Sequence, residues 1–277
     1  MNLYDETCLK CSKIITKKYS TSFSLGIKTF HKRFRYPIYA IYGFVRFADE
    51  IVDTFHDQNK QELLSRFRKD TFLAIEEKIS LNPALQSFQK IVNEFEIDLG
   101  LIDAFLKSME MDLDKTIYTN ASYKDYIYGS AEVIGLMCLK IFSEGDEGIY
   151  NSLVPKARSL GSAFQKINFL RDIKSDFDER GRTYFPSVNF LEFNEIQKQE
   201  IESDIKADFD DALEGIKALP KGCKLGVYVA YVYYVKLFDK IRSTPAKIIS
   251  DRRIRISDSQ KLYLMAKAML KDKMNIV

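Results

Sequence analysis

Two stretches of this sequence place aspartates four residues apart among apolar neighbours: RFADEIVD at 46–53 and NFLRDIKSD at 168–176. Side chains four residues apart lie on one face of an α-helix, so each stretch directs two carboxylates to the same spot. Carboxylates among apolar side chains are costly to desolvate unless cations lie beside them. The sequence therefore predicts two buried helices with charged sites. The pairs are Asp49 with Asp53 and Asp172 with Asp176.

Mg²⁺ is the cation that fits these pairs best, with Mn²⁺ as the alternative. Mg²⁺ takes oxygen ligands and is usually held by one or two carboxylates together with substrate phosphates. One aspartate pair alone is more often a solvated helix face. Here each pair has an arginine beside it, Arg46 or Arg171, and the second helix extends its polar stripe with Gln165 and Asn168. Two such pairs favour a metal site.

Five motifs occur in a fixed order along the chain: YSTSFS at 19–24, AIYGFVR at 40–46, YIYGSAEVIG at 126–135, the acidic helix at 165–176 and RTYFP at 182–186. In these residues the sequence resembles the squalene/phytoene synthases, which are the head-to-head prenyl-diphosphate synthases. The resemblance covers nearly the whole chain. Within the family the chain is most similar to phytoene synthases, in particular those of Bacteroidetes-type bacteria.

The resemblance implies an all-α, single-domain helical bundle of the isoprenoid-synthase type, spanning residues 1–277, around a central cavity. It implies the Mg²⁺-dependent condensation of two geranylgeranyl diphosphates to phytoene through a cyclopropyl diphosphate, a step of carotenoid biosynthesis. Diphosphate would be released, and no NADPH is expected because proton loss ends the reaction. The alternative is a squalene or dehydrosqualene-type synthase that uses farnesyl diphosphate.

The resemblance also assigns roles to individual residues. The metal ligands fall on Asp49, Asp53, Asp172 and Asp176, with Arg46 and Arg171 as further catalytic residues. The substrate-binding set combines polar side chains, which would bind the diphosphate, with aromatic or apolar side chains, which would line the prenyl pocket. Its members are Tyr19, Ser22, Phe23, Ile27, Tyr39, Tyr42, Tyr128, Gln165, Asn168, Arg182, Tyr234 and Arg253, and Phe44 is a further candidate for the lining.

Three residues depart from the pattern of the family. Glu50 stands where many members carry a second aspartate, and it keeps the charge. Ile127 stands where a cysteine is common. Glu132 stands where a small residue is usual, so we expect either an additional polar contact or a solvent-facing turn there.

Two other classes of protein remain as alternatives. The first is a non-catalytic helical assembly protein of the same fold, which would be expected to lose the aspartates or arginines that this chain keeps. The second is a head-to-tail prenyltransferase, but those enzymes carry DDxxD motifs and this chain has DxxxD.

Composition limits the partners and the compartment. A net charge of +3 is too balanced for a nucleic-acid-binding protein, and no GxGxxG or GxxxxGK[ST] motif supports a nicotinamide or ATP site. The 4 cysteines, including the isolated pair Cys8 and Cys11, fit a cytoplasmic protein with free thiols. Because no apolar stretch reaches about 18 residues, we expect only peripheral membrane contact for release of an insoluble product. Residues 225–238 are interpreted as core, with a membrane-docking face as the alternative.

Apolar periodicity and the breaks at Gly and Pro predict helices over most of the chain. Pro37 is expected in the first turn of its helix, and a loop at 178–186 is expected to fold back over a diphosphate. The predicted helices are 2–18, 34–55, 61–79, 83–96, 99–113, 123–142, 150–176, 195–217, 223–241 and 257–271.

Overall fold

The computed structural model describes residues 2–114, 118–186, 188, 193–249, 251 and 253–274. All regular elements in these ranges are helical, which confirms the all-α prediction. In chain order they are α1 (Leu3–Tyr19), α2 (Thr21–Thr29), α3 (Lys32–Asp53), α4 (Lys60–Glu77), α5 (Pro83–Glu94), α6 (Leu99–Asp114), α7 (Asn120–Ile127), a π-helical segment (Tyr128–Glu132), α8 (Val133–Ser143), α9 (Glu147–Arg180), α10 (Glu195–Ala218), α11 (Lys224–Arg242), α12 (Ala246–Ile249) and α13 (Asp258–Lys273).

Each predicted helix is present, and the differences have local causes. The short α2 was missed because its start depends on one hydrogen bond, in which the Phe23 N–H donates to Oγ of Ser20. The helix predicted at 123–142 is divided by the π segment between α7 and α8. Pro37 does not lie in the first turn: α3 begins at Lys32, so the proline falls inside the helix.

The end of α9 also differs from the prediction. The helix continues to Arg180, so residues 178–180 are helical and the loop is shorter than expected. Gly181 ends it in the left-handed conformation, with a φ of 64°, which is the usual backbone geometry of a helix C-terminus. The N–H of Arg182 then donates to the carbonyl oxygen of Asp176, so the chain turns back along its own helix.

The aspartate helices share α8 as a packing partner but otherwise pack on different helices, and each is anchored in its own apolar cluster. Helix α3 packs against α1, α5, α8 and α6, with Phe44 stacked on Phe88 at a ring-centroid distance of 3.8 Å. Helix α9 packs against α10, α8, the π segment and α11. Its cluster includes Ile167, Leu170 and Phe169, the last stacked on Tyr184 at 4.0 Å.

One stretch, Asn120–Ser143, is long and apolar enough to cross a membrane by composition, with a mean hydropathy of 1.2 over its best window. The sequence had predicted that no apolar stretch would be long enough to span a bilayer, so that prediction is wrong for this segment. The window is 67% buried inside the protein, as a core helix is. Residues 225–238 form most of α11 and bury Tyr228, Val229, Tyr233, Leu237 and Phe238, which supports their interpretation as core.

Glycines allow the π segment to approach α6 and α9 closely. A Cβ added at Gly129 would lie 2.5 Å from the carbonyl oxygen of Ala104 in α6. A Cβ added at Gly161 of α9 would lie 2.7 Å from the carbonyl oxygen of Ala131 in the π segment. Both obstacles are backbone atoms, so no side-chain rotation relieves the contact. The position of α9 relative to the π segment therefore depends on Gly161.

We predict that Gly161→Ala destabilises the protein by about 1–3 kcal/mol, because the added methyl group overpacks a backbone contact. The matched control is Gly26→Ala, at a buried helical glycine whose added Cβ would lie 3.6 Å from its nearest neighbour. Urea unfolding of both variants measures the difference. Equal midpoints for Gly161→Ala and Gly26→Ala would show that the close approach does not constrain the packing.

Candidate active site

The first carboxylate pair lies on α3 beside Arg46. Nη1 of Arg46 lies 3.8 Å from Asp49, and its Nη2 donates to Glu50, so the residue that replaces the family's second aspartate binds the arginine. The guanidinium also lies over the Tyr19 ring, 4.3 Å from its centroid. Within the described residues the buried Nε of Arg46 has no hydrogen-bond partner.

Asp49 lies in a recess of the protein. Its side chain is 34% exposed, yet burial by surrounding protein atoms is the largest influence on its pKa, followed by the charge of Asp53. Together they raise the pKa of Asp49 to about 7, against the opposing effect of Arg46. A carboxyl group with this pKa lacks sufficient positive charge around it.

The second pair, on α9, has a different balance of charge. Nε and Nη2 of Arg171 donate to the two oxygens of Asp172, at 3.0 and 2.5 Å. Arg253 reaches the same carboxylate with Nε at 2.7 Å and Nη2 at 3.3 Å. Asp172 thus accepts two bidentate arginine contacts, while Asp176 is buried at 6% exposure. Unlike Asp49, Asp172 already has cations on both sides.

The polar stripe predicted on α9 is present and continues onto α11. Nδ2 of Asn168 lies 3.5 Å from Oε1 of Gln165, and the Tyr234 hydroxyl donates to Oδ1 of Asn168 at 3.2 Å. The Tyr234 ring stacks on Phe164 at 3.9 Å. The structure therefore brings together Gln165, Asn168 and Tyr234, the last of which comes from a distant part of the sequence.

Arg182 joins the segment after α9 to the first pair. Its Nη1 donates to Asp53 at 3.2 Å and to the Tyr184 hydroxyl at 3.3 Å, and its Nη2 donates to the carbonyl oxygen of Asp112 at 2.8 Å. Burial is the largest cause that raises the pKa of Tyr184, and the charges of Asp112 and Asp176 both add to it. Arg182 thus joins Asp53 of the first pair to Tyr184, whose pKa is also raised by the charge of Asp176 in the second pair, so the two aspartate pairs border a common site.

Asp112 of α6 is the main residue that the sequence analysis missed. Its carboxylate accepts hydrogen bonds from Tyr126 at 2.7 Å and from Tyr118 and Tyr184 at 3.2 Å each. Burial raises its pKa to about 6, although Arg182 favours the charged form. The signal was the spacing: Asp112 follows Leu101, Phe105 and Ser108 on the buried face of α6, so the periodicity places a carboxylate in the core.

The predicted prenyl-binding residues divide into two groups. Phe23 and Tyr42 pack together with ring centroids 5.6 Å apart, and both are partly exposed, as are Ser22 and Tyr128. Ile27 and Tyr39 are 2% exposed and pack in the core, so their role at the end of a prenyl pocket stays a prediction. Phe44 stacks between Phe67 and Phe88 with no exposure, so it belongs to the core and does not line the site.

The unusual Glu132 makes a polar contact. Its carboxylate accepts a hydrogen bond from Nε of Arg158 at 2.5 Å, and the Arg158 guanidinium lies 5.2 Å from the centroid of the Tyr128 ring. Of the two alternatives left by the sequence, the structure favours the additional polar contact. The contact fixes an arginine against the ring of a predicted site residue.

The residues of the site fit Mg²⁺, and the fit is better on α3 than on α9. Within the described residues, Arg46 and Arg182 pair with carboxylates on this side of the site, and burial together with the charge of Asp53 raises the pKa of Asp49 despite Arg46. No group of three or more His, Cys, Asp or Glu in the described ranges is close enough to hold one ion. That is compatible with Mg²⁺, which completes its coordination with water and substrate phosphates.

We predict opposite stability changes for the two pairs in metal-free buffer. Asp49→Asn should raise the melting temperature, because it removes a carboxylate whose charged form is disfavoured in the fold. Asp172→Asn should lower it, because Arg171 and Arg253 lose their acceptor. The wild-type penalty at Asp49 is absent below pH about 4 and complete above pH about 7, so the gain should be larger at pH 8 than at pH 5. Thermal melts in a chelator measure both, and a lower melting temperature for Asp49→Asn at pH 8 would contradict the charge deficit.

Three kinds of comparison relate this site to known proteins. The family model for squalene/phytoene synthase matches residues 16–204. The chain is 27% identical over 214 residues to 4,4'-diapophytoene synthase of Staphylococcus haemolyticus, a match that covers 75% of this chain and 72% of the relative. It is 26% identical over 248 residues to phytoene synthase of Cereibacter sphaeroides, covering 80% and 68%.

Solved structures share the fold. A dehydrosqualene synthase in complex with a ligand superposes with a TM-score of 0.83 at 21% identity, covering 98% of both chains. Squalene synthase HpnC from Alicyclobacillus acidocaldarius superposes with a TM-score of 0.74 at 18% identity, covering 87% of this chain and 95% of the other. The family match spans all four aspartates and both adjacent arginines. The chain belongs to the squalene/phytoene synthase family and is a prenyltransferase of the head-to-head type.

Proposed function

We propose that this protein condenses two molecules of geranylgeranyl diphosphate head to head, with Mg²⁺, to give phytoene for carotenoid biosynthesis. The observation that carries the proposal is that α3 and α9 each carry carboxylates with arginines beside them, while Arg182, just after α9, binds Asp53 of α3. Such a site suits a substrate whose leaving group carries several negative charges. The relatives named phytoene synthase support this choice of reaction.

The arginines and polar side chains of the recess bind and orient the diphosphate. Arg253 is 47% exposed and holds Asp172 from the outer side, so it is able to turn toward an incoming phosphate. Arg46 places its positive charge beside Asp49 and Glu50. Asn168 and Tyr234 supply neutral hydrogen-bonding groups between the charged ones. Bonds from these groups stabilise the charge that develops on the leaving oxygen.

Asp49 and Asp53 on α3 and Asp172 and Asp176 on α9 are the residues that would hold the metal. When bound, Mg²⁺ supplies a Lewis acid that neutralises the diphosphate charge as the carbon–oxygen bond breaks. Arg182, which pairs with Asp53, keeps that carboxylate oriented toward the recess. Arg171 does the same for Asp172 from the neighbouring position on the helix.

Loss of diphosphate leaves an allylic cation that must be shielded from water. The rings of Phe23, Tyr42 and Tyr128 provide aromatic faces that stabilise positive charge without forming a bond to it. The double bond of the second substrate then attacks the cation, and loss of a proton closes the ring of the cyclopropyl diphosphate. A second loss of diphosphate, rearrangement and loss of another proton give the linear product with its central conjugated triene, with no hydride donor required.

The alternative function is the same head-to-head condensation with farnesyl diphosphate as the substrate. A relative named 4,4'-diapophytoene synthase and a structural neighbour named dehydrosqualene synthase favour it. The deciding experiment is incubation of the protein with each diphosphate and Mg²⁺, with and without NADPH, followed by mass analysis of the hydrocarbon. Phytoene from geranylgeranyl diphosphate, unaffected by NADPH, is the expected result. Squalene or dehydrosqualene as the main product would replace the proposal with the alternative function.

We predict that Asp49→Ala and Asp172→Ala each reduce turnover to near background, because each removes a carboxylate that holds the metal and the diphosphate. Helical circular dichroism should remain that of the wild type, since both side chains lie at the recess. The matched control is Asp103→Ala, at a carboxylate of α6 that pairs with Lys107. Wild-type turnover in either site variant would rule out the metal-site assignment.

The second prediction concerns the length of the substrate. Each methylene that the pocket buries adds about 0.8 kcal/mol of transfer free energy, so the longer chain wins where it fits. If Ile27 closes the far end of the pocket, Ile27→Phe should shift product from phytoene toward the farnesyl-derived hydrocarbon in a mixed-substrate competition. Leu85→Phe, a buried core position in α5, controls for overpacking. An unchanged product ratio in Ile27→Phe would assign Ile27 to packing alone.

A further inference from the structure

Helix α13 carries an exposed apolar face that the site described above does not use. Five large apolar side chains within 13 residues are each at least 40% exposed: Leu262, Tyr263, Met269, Leu270 and Met274. Leu262, Leu270 and Met274 follow one another at multiples of four, so they lie along one side of the helix. The opposite side, with Leu264, Met265 and Ala268, packs into the cluster formed with α11. Both sides of this helix are therefore apolar.

The charges on and beside this face are mainly positive. The helix contains four lysines and two aspartates. Lys267 and Lys273 are exposed next to the apolar side chains. Asp258, in the first turn, pairs with Lys261 at 3.0 Å. At the start of α13, Lys240, Arg255 and Lys261 line an open cleft together with Thr21 and Ser257.

The packed side of α13 borders elements that carry candidate site residues. Helix α13 packs against α2, which carries Ser22 and Phe23, and against α11, which carries Tyr234. Nζ of Lys261 donates to Oγ1 of Thr21 at 3.0 Å, which ties α13 to the start of α2. Arg253, which binds Asp172, lies only five residues before the helix. A surface that covers the exposed face of α13 is therefore separated from these elements by the helix itself.

We propose that the exposed face of α13 docks on the surface of an anionic lipid bilayer, with the apolar side chains inserted among the lipids and the basic residues on the headgroup phosphates. A helix with exposed apolar residues flanked by lysines has the chemistry of an interfacial amphipathic helix. Anionic headgroups attract basic residues near the surface, with about 1 kcal/mol for each. The inference rests on the proposed function, because a water-insoluble hydrocarbon product would pass from the protein most readily into a lipid bilayer.

The test is co-sedimentation of the full chain with vesicles of phosphatidylcholine alone and of an equimolar mixture with phosphatidylglycerol. We expect binding to the mixed vesicles and little to the neutral ones. Leu262→Glu/Leu270→Glu and Lys267→Glu/Lys273→Glu should each weaken binding at least about tenfold. Leu81→Glu is the matched control, because Leu81 is 90% exposed in the connection before α5. Equal binding of the α13 variants, the control and the wild type would overturn the proposal.

Three further measurements separate this inference from the proposed function and from association between copies. Asp172→Ala should bind vesicles like the wild type, and Leu262→Glu/Leu270→Glu should turn over prenyl diphosphate in detergent at the wild-type rate. If both variants behave in this way, the lipid-docking face of α13 is supported even if the product of the enzyme is not phytoene. If light scattering instead shows a dimer that Leu262→Glu/Leu270→Glu converts to a monomer, while vesicle binding is absent, the face is an interface between copies and the lipid proposal is wrong.

Discussion

The structure depends on how carboxylates from α3, α6 and α9 are kept inside a helical protein. Each ionised carboxylate in a desolvated setting needs a cation or several hydrogen bonds. At Asp172 two arginines supply the cations. At Asp112 three tyrosines donate hydrogen bonds to the carboxylate and Arg182 forms an ion pair with it at 3.6 Å. At Asp49, burial and the charge of Asp53 outweigh the effect of Arg46 and raise the pKa of that group. Because the arginines are unevenly distributed between the two pairs, an added cation would stabilise the carboxylates of α3 more than those of α9.

This electrostatic constraint explains several features of the fold that are otherwise unrelated. Gly181 turns the chain back so that Arg182 reaches Asp53 and the carbonyl oxygen of Asp112. Gly129 and Gly161 let the π segment approach α6 and α9, the helices that carry Asp112 and Asp172. Tyr126 comes from the helix turn just before that segment. Packing and charge therefore act together, because small residues bring the helices close enough for the polar network to form.

The sequence predicted most of the helices and the residues of both aspartate pairs, because periodicity and spacing are local properties of the chain. It did not predict the start of α2, which depends on a single cap at Ser20, or the division of the helix at 123–142 by a π segment. It also missed Asp112, although the period of α6 contained the signal, since no motif marks a carboxylate whose partners come from three other segments. Arg253 and Tyr234 were found only by resemblance, because long-range contacts bring them to the site.

We propose that the α3 and α9 carboxylates act as one site for Mg²⁺ and diphosphate. The most direct measurement is the melting temperature of the protein with Mg²⁺ alone, with inorganic diphosphate alone, and with both together. We expect a rise with both that exceeds the sum of the separate effects, because ligands that bind only the folded state stabilise it. We also expect the excess to disappear in Asp53→Asn and in Asp176→Asn. An excess that persists in either variant would show that the two pairs do not bind diphosphate together, and would contradict the account.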